Sequence, residues 1–302
     1  MSREPADGDP VPGHPARERL DALLRTATAV LARAGVPSPG VDAEILLAHA
    51  AGRELGDLRR ARVLGEDVPA ATRTAYLGLV ERRAQRVPLQ HLTGVASFGG
   101  LELEVGPGVF VPRPETEVMV ALALDALRDL ERPTVVDLCT GSGAVALALA
   151  LARPDARVGA VELSPEAHGY AVRNVARTGL PVDLRLGRAQ DAFGDWAGRV
   201  DVVVANPPYI PPDAVPVDVE VREHDPELAL YGGGSDGLEV PLEVALRAAE
   251  LLRPRGVLLM EHADVQGTTL PAALAAQGRW AQVEDHTDLA GLPRVARAVR
   301  AQ

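Results

Sequence analysis

The chain has 302 residues, 47% of them apolar and only 3% aromatic, and carries a formal net charge of −11. No window approaches about 18 uninterrupted apolar residues, so no membrane-spanning helix is expected, and the single cysteine, Cys139, leaves no intramolecular disulfide and fits a reducing, cytoplasmic compartment. Residues 1–90 hold 13 arginines against 12 acidic side chains, leaving 18 of the 31 basic and 30 of the 42 acidic residues beyond them, an acidic main body poorly suited to nonspecific nucleic-acid binding.

Residues 1–16 are polar and proline-rich, without the apolar segment of a secretory signal, and are expected to form a disordered tail. Residues 17–88 read as a small helical domain. Leu20, Leu23, Leu24, Ala27, Val30 and Leu31 mark one helical face, stopped at Gly35 and Pro37. Further helices are expected over 41–51, 55–63 and from Pro69 onward. This bundle carries no chemical signature, and His49 reads as packed or solvated. It is expected to recognise a partner or to support the rest of the chain.

Residues 89–114 change character. Leu101, Leu103 and Val105 alternate with Glu102 and Glu104, Gly106-Pro107-Gly108 reads as a turn, and Val109-Phe110-Val111 as a second strand. The pattern predicts a β-hairpin linking two domains. From 115 to 302 the periods alternate between strand and helix. Strands are expected at 135–138, 158–161, 182–186, 201–205 and 257–261, with helices at 115–130, 144–152, 165–178 and 242–252. Two final strands, 281–286 and 294–299, have no helix between them. The expected fold is α/β: a doubly wound, mostly parallel seven-stranded sheet with a terminal antiparallel hairpin.

Two stretches carry chemistry. Asp137-Leu138-Cys139-Thr140-Gly141-Ser142-Gly143 follows the first strand of the sheet and opens a helix, with glycines where a ligand must approach backbone. Glu162 ends the next strand at the spacing of a carboxylate that takes ribose hydroxyls. The loop resembles a dinucleotide fingerprint. Asp137 on its approach, placed for an amino group, matches S-adenosylmethionine better. Cys139 is then a small loop residue rather than a nucleophile. The second stretch is Asn206-Pro207-Pro208-Tyr209. It ends an apolar strand with a rigid, acceptor-rich corner beside an aromatic ring, suited to gripping a planar NH₂ group. Read from residues alone, this leaves open an adenine-N6 methyltransferase acting on nucleic acid and a nucleotide-dependent oxidoreductase.

With these motifs stand Pro112-Arg113-Pro114-Glu115-Thr116-Glu117 and Asp225-Pro226-Glu227-Leu228-Ala229-Leu230. Together they resemble the HemK/PrmC family of class I S-adenosylmethionine-dependent methyltransferases, over nearly the whole chain beyond residue 17. The resemblance implies methyl transfer from S-adenosylmethionine to the side-chain amide nitrogen, N5, of the glutamine in the Gly-Gly-Gln motif of peptide chain release factors. It implies cofactor contacts from Asp137, Cys139, Thr140, Gly141, Ser142, Gly143, Glu162 and Asn206. The acid usual beside the adenine is missing at Arg188-Ala189, so that contact falls to Ala189. Asn206, Pro207 and Tyr209 are the catalytic candidates, and with Pro208 they would hold the substrate amide. No metal, direct nucleic-acid contact or membrane contact is expected, and the enzyme is expected to act as a monomer. The long segment from Pro211 to Gly237 is expected to cover the site.

Overall fold

The protein is described here by a computed structural model covering residues 19–302; the tail expected over residues 1–16 lies outside the described residues. The chain divides into one unit ending at Thr93 and another running Gly94–Gln302. No helix among the described residues is long and apolar enough to cross a membrane.

The first unit is helical: α1 Leu20–Arg33, α2 Pro39–Ala51, α3 Leu55–Val63, α4 Ala70–Ala84 and a short α5 Leu89–Thr93. The stripe predicted for α1 is buried, apart from the half-buried Val30. Proline opens α2 and Gly52 ends it in the left-handed region, where a Cβ would be costly. Inside, Arg83 donates to Asp42 at 2.7 Å, with both side chains nearly sealed from water. His49 is exposed.

The second unit opens with β1 Val95–Phe98 and β2 Leu101–Glu104, paired antiparallel. The hairpin thus sits earlier than the sequence predicts. Gly99 and Gly100 both have positive φ and supply a two-residue turn that matches strand twist. Val109-Phe110-Val111 is not a strand; Val109 and Val111 are instead buried against Ala96 and Ala167. A 3₁₀ turn, Pro114–Thr116, leads into α6 Glu117–Ala126, which ends before the predicted residue 130.

The remaining elements are β3 Thr134–Leu138, α7 Ala144–Ala152, β4 Arg157–Glu162, α8 Pro165–Thr178, β5 Val182–Leu186, β6 Val200–Ala205, α9 Val219–His224, α10 Glu239–Leu251, β7 Leu252–Glu261, α11 Thr269–Ala276, β8 Trp280–Thr287 and β9 Pro293–Arg300. They form one seven-stranded sheet of order β5-β4-β3-β6-β7-β9-β8. It is parallel from β5 to β7 and antiparallel where β9 lies between β7 and β8. This is the predicted doubly wound sheet with its terminal hairpin. Both faces are covered, as apolar strands without polar alternation require. Val136, Leu138, Val203, Ala205, Leu258 and Met260 pack with α10 and α11. Val135, Val202, Val204 and Leu259 pack with α6 and α7. The chain reverses its winding direction between β3 and β6, which opens a crevice above their carboxyl ends.

Candidate active site

Register places the site. Leu138 on β3 pairs with Val161 on β4 and with Ala205 on β6, and Ala205 pairs with Met260 on β7. The residues one step further along these four strands are therefore Glu162, Cys139, Asn206 and Glu261, in a row at the rim of the sheet. Above them lies a cavity of about 640 Å³. The two stretches singled out by sequence, 65 residues apart, become neighbours because their strands pair.

On the β3–β4 side, Asp137 is buried. Its Oδ2 accepts from the Thr140 hydroxyl at 2.6 Å and from the Ala146 N–H at 3.1 Å, so it organises the loop as well as lining the cavity. Burial pushes its carboxyl up to about 7, against those two hydrogen bonds and with help from the Glu162 charge. Cys139 adopts φ 68°, a left-handed conformation that costs a residue with a Cβ roughly 1–2 kcal/mol. Burial and the charges of Glu162 and Asp137 raise its thiol. It stays protonated and is no nucleophile. Gly141 and Ser142 line the cavity, and the buried Ser142 Oγ has no hydrogen-bond partner. Gly143 does not line it; its N–H donates to Thr140 O at 2.9 Å and closes the turn from which α7 starts.

Glu162 joins the two loops. Its Oε2 accepts from the Gly141 N–H and its Oε1 from the Ser164 N–H, each at 2.8 Å. A carboxylate has about four acceptor directions, so two remain for hydroxyl groups in the cavity. Leu163, Gly187, Arg188 and Ala189 continue this wall; Asp191 does not belong to it. Asn174 on α8, unmarked by any motif, is fully buried. It donates to Ser142 O at 3.0 Å, donates to Glu104 O at 3.0 Å and accepts from the Glu104 N–H at 2.7 Å. It ties the glycine loop to the hairpin.

On the β6–β7 side, Asn206, Pro208 and Tyr209 line the cavity, while Pro207 is buried beneath them. The backbone here is pinned from outside. Gln266 Nε2 donates to Tyr209 O at 2.9 Å and to Asp236 O at 3.0 Å. Ile210 N–H donates to Leu230 O at 2.8 Å, and Gly232 N–H donates back to Ile210 O at 3.0 Å, so the excursion from Pro211 returns to its starting point beside Tyr231. Gly237, at φ 78°, packs so closely that a Cβ would lie 2.2 Å from Tyr209 O. Burial, assisted by the Glu261 charge, raises the Tyr209 hydroxyl, which stays neutral.

On the far wall, Glu261 and Arg294 carry no mark in the sequence, and Arg113 and Thr116 belong to the Pro-Arg-Pro-Glu-Thr-Glu stretch without a role assigned from it. Glu261, Thr116, Arg113 and Arg294 all line the cavity. Burial pushes Glu261 up to about 7, opposed by Thr116, Arg294 and Asn206 and reinforced by Glu115. Arg113 pairs with Asp225 at 3.0 Å. His224 and His262 do not line the cavity. The His262 ring is buried between Ala263 O at 2.8 Å and Asp285 Oδ1 at 2.7 Å, with both nitrogens engaged. Among the described residues no cluster of three or more His, Cys, Asp or Glu is arranged to hold a metal ion.

A family model described as the PrmC N-terminal domain matches residues 22–94, and one described as the methyltransferase small domain matches residues 101–222. The chain is 51% identical over 286 residues to a release factor glutamine methyltransferase of Streptomyces coelicolor, covering 93% of this chain and 98% of that one. It is 46% identical over 284 residues to its namesake in Mycolicibacterium smegmatis, with the same coverage, and 46% identical over 286 residues to that of Deinococcus radiodurans, covering 94% and 99%. A solved T. thermophilus 16S rRNA methyltransferase in complex with AdoMet and guanosine superposes with TM-score 0.50 at 22% identity, over 68% of this chain and 49% of that one. The last likeness speaks for the fold alone.

Proposed function

The chain belongs to the release factor glutamine methyltransferase family, and from that premise we infer that it methylates the side-chain amide nitrogen, N5, of the glutamine in the Gly-Gly-Gln motif of peptide chain release factors. The observation that carries the reading is the row of strand ends: Asn206 stands directly beside Cys139 and the glycine loop, over one shared cavity.

The cofactor is S-adenosylmethionine, and the residues present fit it. The cavity offers carboxylates at separate places, Asp137 and Glu162, for an ammonium group and for ribose hydroxyls. Val161, Leu163 and Ala189 supply an apolar wall for a purine. Thr140, Gly141 and Ser142 bring backbone close, with an unused Ser142 hydroxyl. When bound, S-adenosylmethionine supplies an electrophilic methyl group on a sulfonium sulfur, which keeps the bonding electron pair as the methyl leaves.

The protein's task is to make an amide nitrogen nucleophilic. Its lone pair is delocalised into the carbonyl, so orientation matters more than a strong base. Asn206 Oδ1 and the Pro207 carbonyl accept the two N–H bonds of the substrate amide and turn its lone pair toward the methyl. Tyr209 lies against the amide plane, and Pro208 keeps the corner stiff. Such alignment supplies roughly 7–11 kcal/mol in well-oriented systems. Hydrogen bonds that strengthen as the nitrogen becomes positive add the differential part. The spare proton leaves to water, with no histidine on the cavity wall to receive it. The helical unit would bind a further part of the same release factor, and the enzyme would act in the cytoplasm, where translation ends.

Intact-mass analysis of a purified release factor, incubated with the protein and S-adenosylmethionine, tests the reading. It expects a gain of one methyl group, mapped by peptide fragmentation to the glutamine. An unmodified factor, or a methyl on another residue, overturns it.

A further inference from the structure

Glu261 ends β7 one strand over from Asn206, at the same level of the sheet. It is 2% exposed and lines the cavity. Its Oε2 meets no partner in good hydrogen-bond geometry, and neither does the neighbouring Thr116 Oγ1, although the Thr116 and Asn206 side chains stand close enough to oppose the rise of its carboxyl by hydrogen bonding. Burying a carboxylate is expensive, and a buried polar atom left unmet in a native structure calls for a use. Two such atoms in one corner, beside the residue assigned to hold the substrate, point to that use.

The problem they address is the orientation of Asn206. A primary amide has an acceptor on one arm and two donors on the other, and the two flipped states are nearly identical in shape. To accept from the substrate amide, the oxygen must face the guest. Nothing in the Asn-Pro-Pro-Tyr sequence enforces that. A carboxylate can only accept. Beside an ionised Glu261, the Asn206 NH₂ arm turns toward the carboxylate and the oxygen is left facing the cavity. Beside a neutral carboxylic acid or an amide, either flip is satisfied.

We propose that Glu261, as a carboxylate, is a positioning residue that holds the Asn206 amide in the one orientation presenting Oδ1 to the substrate nitrogen. This rests on the assignment of Asn206 as the amide-binding residue. The groups that face Glu261 are Thr116 and Glu115 from the 3₁₀ turn before α6, Arg294 from β9, Asn206 from the end of β6 and Tyr209 beyond it. Arg294 also reaches Asp288 at 3.3 Å, and His262, next in the chain, turns away to Asp285. Burial brings the Glu261 carboxyl up to about 7. Falling pH therefore protonates it within a range where the enzyme can be assayed, frees the flip of Asn206, and lowers turnover.

The test uses the full-length enzyme with a release factor as substrate. Glu261→Gln keeps shape and burial but removes the acceptor-only character. It should lower kcat about 10- to 100-fold, the scale of a misplaced reacting group, while leaving S-adenosylmethionine affinity close to native and the melting temperature no lower than native, since the amide relieves the cost of the buried charge. The native enzyme should show kcat rising with pH through about 7, and Glu261→Gln should lose that limb. Glu261→Asp, which retains the charge, should recover part of the rate. Native kcat in Glu261→Gln, or an unchanged pH limb, overturns the proposal. Should Glu261→Gln fail to fold, the native profile decides: a limb in kcat not mirrored in cofactor affinity supports it, and a flat kcat overturns it. Asn206→Ala run in parallel separates the two readings. If Asn206→Ala is inactive and Glu261→Gln is native-like, only the role of Glu261 falls. If Asn206→Ala retains turnover, the assignment of Asn206 falls, and the role of Glu261 with it.

Discussion

The Arg113 guanidinium meets the Asp225 carboxylate at 3.0 Å across 112 positions of chain. It binds the proline-rich segment before α6 to the loop that follows β6. The Asp225 side chain is 1% exposed and that of Arg113 30%. Burial raises Asp225 to about 6, and the charge and hydrogen bond of Arg113 resist that rise. At neutral pH the arginine is what keeps this carboxylate both buried and charged.

Arg113→Ala should therefore leave a buried carboxyl without its counter-charge. The expected cost is about 2–3 kcal/mol, somewhat below that of a fully sealed pair because Arg113 retains some water. The loop from 211 to 231 should become a preferred site of limited proteolysis. The KM for the release factor should rise more than the dissociation constant for S-adenosylmethionine. Equal proteolysis rates in variant and native protein would show that the pair does not anchor the loop.

Asn206→Ala should abolish methyl transfer and leave cofactor affinity within a few-fold of native. Removing one transition-state hydrogen-bond partner costs about 10²–10³ in kcat, and loss of orientation adds to it. Calorimetry with S-adenosylmethionine and a methyl-transfer assay on the same preparation check this. Retained turnover contradicts the assigned role.

Asp137→Asn should exchange cofactor affinity for stability. The native carboxyl holds its proton up to about 7, whereas the unfolded chain releases it near 3.8. Between those values the folded state binds more protons, so this residue's contribution to stability falls as pH rises through that window. Asparagine removes the charged form. The variant should melt higher than native protein at pH above about 7, by at most a few kcal/mol, and show a shallower loss between about pH 4 and 7. It should bind S-adenosylmethionine more weakly. Melting curves across pH, with calorimetry, read both effects. A variant that melts lower than native protein in alkaline buffer would contradict the cost of burial assigned to Asp137.

Gln266→Leu should act on turnover from outside the cavity. It removes both hydrogen bonds that hold Tyr209 O and Asp236 O, leaving carbonyls unpaired at a cost of about 1–3 kcal/mol. The expected signature is a lower melting temperature together with a lower kcat at unchanged cofactor affinity. A stability loss without any kinetic change would show that the corner stays rigid without this support.

The sheet was legible in the chain because buried parallel strands read as short apolar runs between helical periods, as in Val200–Ala205 and Thr134–Leu138. The glycine loop, Glu162 and Asn206 were legible because special backbone and strand-end acids leave local marks. The hairpin was misplaced because Val109-Phe110-Val111 has strand composition but no strand beside it, whereas Gly99-Gly100 was the truer signal. α10 begins at Glu239, three residues before the expected 242, because Pro241 sits in its first turn, where the missing N–H costs nothing. Glu261, Arg294, Gln266 and Asn174 look ordinary for a different reason. Each acquires its meaning only from a partner on a distant element. Glu261 stands beside Asn206 solely through the pairing of β6 with β7.

The closure at Ile210 and Tyr231 has a bearing on how such an enzyme diversifies. A stretch that departs and returns through one doorway can be exchanged as a cassette, provided its replacement matches the two jambs and keeps a carboxylate for Arg113 at position 225. Grafting residues 211–230 between relatives should thus retune which guest proteins are accepted, while the methyl-donor half, built on β3 and β4, is inherited untouched.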